Sequence, residues 1–153
     1  MKKTEIPVNP GRYLTTIIML FLSAGLIAGD SDNTGKLKVI VYEPGNEIGV
    51  MQIALCDTRD DYEQKDHAFR TASSPITDHM ATVIFDSLPY GVYAIKVYHD
   101  ENENKELDTG FLGIPTEAYG FSNNVRGTFG PADWDDAKFI FSLPVDSISI
   151  NLE

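Results

Sequence analysis

From residue 37 onward the apolar residues of this chain recur mostly with a period of two, and that alternation restricts the fold more than any other feature. Successive side chains of a strand point to opposite faces, so a run such as Leu37-Lys38-Val39-Ile40-Val41-Tyr42 buries one face and wets the other. Further runs lie at 48–55, 81–85, 92–98, 138–143 and 147–152. The first ends at Glu43-Pro44-Gly45-Asn46, a turn composition, and so short a link predicts that 37–42 and 48–55 are antiparallel neighbours in a hairpin. Residues 57–70 lose the alternation and gain helix formers. They predict one or two helical turns capped by Asp60 or Asp61, broken by Ser73-Ser74-Pro75. Many short strands with at most one brief helix predict an all-β sandwich rather than a parallel α/β sheet. Its core is expected to hold Val39, Val41, Ile53, Leu55, Val83, Phe85, Tyr93, Ile95, Val97, Phe139, Phe141, Ile148 and Ile150, single faces of those strands.

Ahead of the strands, Lys2, Lys3 and Arg12 precede an uncharged stretch, residues 14–28, followed at once by Gly29, Asp30, Ser31 and Asp32. That order reads as an export signal cleaved after Ala28, because the apolar run is short of the roughly 20 residues that span a bilayer and small residues crowd its end. A retained anchor is the alternative. On the export reading residues 1–28 are removed, 29–36 are a short linker and 37–153 form one sandwich domain, soluble in the periplasm or secreted.

Cleavage removes Lys2, Lys3, Arg12 and Glu5, leaving nine basic and 22 acidic side chains and a net charge of −13. Such a surface repels phosphate backbones and anionic headgroups, so neither nucleic acid nor, after cleavage, a membrane is expected as a partner. Cations and neutral or basic ligands remain. Cys56 is the one cysteine, which rules out an intrachain disulfide, and its place in an alternating run reads as a small buried hydrophobe.

Between residues 100 and 136 periodicity fades while Gly, Asn, Asp and Pro accumulate, yet Phe111, Tyr119, Phe121, Phe129 and Trp134 argue for an ordered, packed loop. Phe85-Asp86-Ser87-Leu88-Pro89-Tyr90-Gly91-Val92-Tyr93 resembles the Leu-Pro-x-Gly-x-Tyr turn of prealbumin-like and immunoglobulin-like sandwiches, which implies a positive φ at Gly91. His99-Asp100-Glu101-Asn102-Glu103-Asn104, Leu107-Asp108-Thr109, Phe111-Leu112-Gly113-Ile114-Pro115-Thr116-Glu117, Tyr119-Gly120-Phe121-Ser122-Asn123-Asn124 and Phe129-Gly130-Pro131 follow in turn. This succession is similar to the bacterial secreted family known as domain of unknown function 2141. The resemblance covers residues 37–152 and implies an immunoglobulin-like (prealbumin-like) antiparallel sandwich and an exported address, with no established activity. Versions with an Asn-Gly-Asn-Gly-type loop carry glycine where this chain has Glu103 and Lys105.

Three groups of residues carry chemistry. Asp100, Asn102, Asn104 and Asp108, with the carbonyl of Glu106, place oxygens at the spacing of the first part of a calcium loop, with Glu117 or Asp86 as further donors. The same residues also read as a solvated turn whose side chains cap their own backbone. Tyr119, Phe121, Asn123, Asn124 and Arg126 combine rings with directional polar groups, as a ligand surface does, or else plug the end of the sandwich. Asp57, Asp60, Asp61, Glu63 and Asp66 with His67 read as a solvated helical turn, and His79 and His99 stand alone at strand ends. GxSxG, HExxH and Gly-rich phosphate motifs are absent. The expected function is therefore a non-catalytic envelope binding or accessory module, weakly calcium-binding, facing a glycan, peptide or protein. The alternative is an acidic-residue or metal-dependent periplasmic hydrolase using Asp100, Asp108 and Glu117 with His99.

Overall fold

In a computed structural model the described residues are 33–152 except Pro44, Asp66 and Phe129, so the segment 1–28, expected from the sequence to direct export, lies outside them. They form strands β1 (Thr34–Tyr42), β2 (Val50–Cys56), β3 (Arg70–Pro75), β4 (Met80–Pro89), β5 (Gly91–Asp100), β6 (Tyr119–Phe121), β7 (Phe139–Phe141) and β8 (Val145–Asn151), with helical turns α1 (Arg59–Glu63) and α2 (Trp134–Ala137). One sheet has the order β4-β1-β8; the other has β3-β2-β5-β6, with β7 pairing to the start of β5. The alternating runs predict this sandwich. Of the 13 residues expected in its core, ten are buried, and Val83, Phe139 and Ile148 are half-buried against them.

The predicted hairpin between the first two runs does not form. β1 lies between β4 and β8, whereas β2 lies between β3 and β5 in the other sheet. Residues 43–49 carry the chain across. A crossing so short needs a close approach of backbones, and Gly49 supplies it: its φ is +75°, and a Cβ there would stand 2.1 Å from the carbonyl oxygen of Asp100. The sandwich is also not wholly antiparallel, because β8 returns beside β1 in parallel register, Val39 opposite Ile148. The long segment before it allows that crossover.

β3 occupies residues predicted as helix end and breaker. It is the edge of its sheet, pairing only with β2 among the described residues, and its sequence RTASSP has no apolar face to announce it. Pro75 stands at its last position, where a missing N–H is tolerated. The helical turn predicted after residue 57 is α1, but Thr58 caps it, its Oγ1 accepting from the N–H of Asp61 at 3.1 Å. α2 is a second short helix where at most one was expected. At the Leu88-Pro89-Tyr90-Gly91 turn the positive φ belongs to Ser87, not Gly91, and the Tyr93 hydroxyl closes the turn by donating to the Pro89 carbonyl at 2.8 Å.

The segment 100–136 is less irregular than its composition suggests, since Tyr119–Phe121 joins the sheet as β6. Tyr62, Phe121, Ala132, Trp134 and Ala137 build a second apolar cluster over Cys56 and Ala94, away from the main core. The Tyr62 ring stands edge-on to Trp134, centroids 5.7 Å apart. β5 is thus covered on both faces at Tyr93, Ala94 and Ile95. Phe129 lies outside the described residues, and among those described Phe111 is the exception to the packed-aromatic expectation, at 89% exposure.

Candidate functional site

The acidic loop is organised by one buried carboxylate. Asp100 is fully buried at the end of β5; its Oδ1 accepts from the N–H of Asn104 at 3.0 Å, and its Oδ2 from the N–H of Lys105 at 3.0 Å and from Gln52 Nε2 at 2.9 Å. Those bonds wrap the chain around the carboxylate. Glu103 and Lys105, standing where glycine was expected, both take left-handed φ, +58° and +65°. The tight turn is therefore built without the glycines, at a backbone cost of order 1 kcal/mol each.

Asn102 and Asn104 stand over Asp108, their side-chain amides donating to its two oxygens at 2.7 and 3.0 Å. Their own oxygens accept from the N–H groups of Asn104 and Glu106. The Glu106 side chain points to solvent. Glu117 is buried beneath the loop and joins its two ends, Oε1 accepting from Glu101 N–H and Oε2 from Asp108 N–H. Asp86 is not part of this arrangement: its carboxylate pairs with Lys36 at 2.8 Å, which holds it below the usual carboxylate range. Among the described residues no three His, Cys, Asp or Glu side chains converge as a metal site. With the oxygens of Asp100 and Glu117 taken by N–H groups, Asp108 is the one loop carboxylate placed to face a calcium ion, joined by two amide oxygens only if both Asn side chains turned over.

His99 is not alone. It is 1% exposed, with Nδ1 at 3.3 Å from Glu43 Oε2 and Nε2 at 2.6 Å from the carbonyl of Ile48. Glu43, equally enclosed, accepts from Gly45 N–H through Oε1. The pair fastens the crossing at 43–49 to the base of the acidic loop. His67, by contrast, sits at the surface, 3.6 Å from Asp61. Cys56 is buried, and burial pushes its thiol up to about 11, so it holds little thiolate at neutral pH.

The residues of the second group serve two purposes. Asn123 donates its amide to the carbonyls of Asp136, Ala137 and Lys138, closing the end of α2, while Asn124 accepts from Asn151 N–H at 2.8 Å and so holds β8. Both take left-handed φ. Tyr119, Phe121, Asn124 and Arg126 line a hollow of about 250 Å³ with Gly127 and Asn151.

Tyr119 and Phe121 also floor a larger opening that sequence reasoning missed. On the outer face of the β2-β5-β6 sheet lies an open groove of about 580 Å³, with Tyr62, Tyr98 and Trp134 among its rings and Lys65 and Lys105 on its rim. One wall is residues 62–65, the end of α1 and the turn after it; the other is the acidic loop at Lys105, Glu106 and Leu107. The Tyr98 hydroxyl is pushed up to about 12, chiefly by burial and then by the charges of Asp100, Glu117 and Glu106, so it keeps its proton as a donor. The outward phase of β5, which puts Lys96 and Tyr98 opposite the core residues Ile95 and Val97, was the signal for this surface.

No curated protein and no solved structure matches the chain. A family model described as "Uncharacterized protein conserved in bacteria (DUF2141)" matches residues 39–149, which takes in both sheets, the acidic loop and the floor of the groove. The chain belongs to that bacterial family.

Proposed function

We propose that the chain is a non-catalytic binding module of the bacterial envelope, exported and cleaved after Ala28, which holds a glycan or peptide in the groove on the outer face of the five-stranded sheet. The observation that carries this reading is the groove itself. Its volume lies within the range of about 300–1,000 Å³ usual for ligand sites, and it combines aromatic rings with a few hydrogen-bonding groups. The side chains a hydrolase would need are already engaged: His99 between Glu43 and Ile48, Asp100 and Glu117 on backbone N–H groups. The acidic loop then acts as a calcium site of millimolar affinity, bracing the wall formed by residues 105–107.

Trp134 is the only tryptophan, so its fluorescence reports on the groove. Titration with envelope oligosaccharides and short peptides is expected to give a saturable change for one class, lost in Tyr98→Ala. Calcium at ten times its Kd should add about 1.4 kcal/mol, a few degrees of melting temperature, with magnesium adding less. Asp108→Asn should remove that shift. Asp100→Ala is unsuited to this test because Asp100 is buried and holds the loop. No saturable change with any titrant sinks the groove reading, and a melt that responds to calcium no more than to equal ionic strength of sodium sinks the cation site.

A further inference from the structure

Beyond the acidic loop the chain rises into a short hairpin. Thr109 pairs with Pro115, Gly110 N–H donates to the Ile114 carbonyl at 2.7 Å, and Thr116 N–H donates to the Asp108 carbonyl at 2.9 Å. At its apex Phe111 is 89%, Leu112 80% and Ile114 63% exposed. Leu112 and Gly113 both take left-handed φ, +68° and +73°, and nothing lies within 4 Å of where a Gly113 side chain would begin. The eight residues 109–116 carry no charge. Three large apolar side chains held in water by a hydrogen-bonded turn forfeit the stabilisation that burial would return.

We infer that this apex is a membrane-contact point, inserting Phe111, Leu112 and Ile114 into the headgroup boundary of a zwitterionic bilayer. Area favours a bilayer over a protein. A Phe, a Leu and an Ile together offer a few hundred Å² at most, below the roughly 800 Å² per partner of a standard protein interface. A fluid bilayer demands neither that area nor a matched shape. Charge selects the lipid, because Glu101, Glu103 and Glu106 are exposed in the loop at the hairpin's base and repel anionic headgroups. The expectation from net charge that membranes are avoided thus applies to anionic surfaces. So small an apolar contact makes the attachment weak and reversible.

Cys56 is buried and holds little thiolate, so Leu112→Cys provides a single labelling site for an environment-sensitive fluorophore at the apex. Its signal also separates apex insertion from any attachment through residues 14–28. Phosphatidylcholine vesicles are expected to blue-shift the label, and a bilayer-embedded quencher to reach it. Vesicles with a third anionic lipid should bind less. Phe111→Asp and Ile114→Asp in the labelled protein should each raise the lipid concentration required by about tenfold without changing the melting temperature, since both side chains are exposed. No shift with either vesicle, a preference for the anionic one, or indifference to both Asp substitutions would overturn the inference. So would a blue shift without lipid that grows with protein concentration, which identifies a second copy as the occupant.

Discussion

A single buried hydroxyl completes the pairing of the longest strand in the five-stranded sheet. β5 pairs with β7 through Gly91, Val92 and Tyr93 and with β6 through Lys96, Val97 and Tyr98, and Ile95 lies between the two sets. Ser122 fills the interval. Its Oγ accepts from Ile95 N–H at 2.9 Å and donates to the Ala137 carbonyl at 2.6 Å, with no exposure to solvent. Ser122→Ala leaves the buried Ile95 N–H without its partner and takes one of two donors from the Ala137 carbonyl, which keeps Asn123, so a loss of about 1–3 kcal/mol is expected in urea unfolding. A loss within about 0.5 kcal/mol would mean that water or a neighbouring group takes the place of the hydroxyl. Nothing in the sequence distinguishes Ser122 from a surface serine, because its role depends on where β6, β7 and α2 meet.

At the scale of elements, the segment 100–108 shows a turn whose hydrogen bonds override local backbone preference. Asp100 gathers two N–H groups and a Gln52 amide, Glu117 two more N–H groups, and the chain accepts left-handed φ at Glu103 and Lys105 in return. Because those hydrogen bonds fix the conformation whatever stands at 105, Lys105→Gly should relieve strain and raise stability by about 0.5 kcal/mol, the difference between left-handed strain and the extra entropy glycine loses on folding. Destabilisation instead would show that the Lys105 side chain contributes more than its backbone costs. Strands with an apolar face, β1, β2, β4, β5, β7 and β8, were legible in the sequence through their alternation. β3 and the crossing at 43–49 were not. An edge strand of polar residues has no hydrophobic period, and a short link does not reveal whether its two strands share a sheet. The candidate site was legible to the same degree: the spacing of Asp100, Asn102, Asn104 and Asp108 shows that they meet, but the groove is assembled from α1, β5, β6 and α2, which no local pattern connects.

Across the whole molecule, the two sheets are tied where residues 43–49 pass between them, and the tie is a nearly dry Glu43–His99 contact. Glu43 Oε1 has the Gly45 N–H, but Oε2 has only the His99 ring, at ion-pair distance and without good hydrogen-bond geometry. A buried pair of this kind adds little net stability, because desolvation offsets its attraction, yet removing one member strands the other in the interior. His99→Phe should therefore cost about 3–5 kcal/mol, and Glu43→Leu by itself a comparable amount through the loss of Gly45's partner and the unpaired ring. The double substitution should recover part of the sum, since neither side chain is then left buried facing an absent partner, while the Gly45 N–H and the Ile48 carbonyl lose their partners in the double variant as in the single ones. A double-mutant cycle by urea denaturation measures that recovery as the coupling between the two sites. Additive losses would mean that Glu43 and His99 stabilise the crossing independently, through Gly45 and Ile48, and that their mutual contact does not tie the sheets.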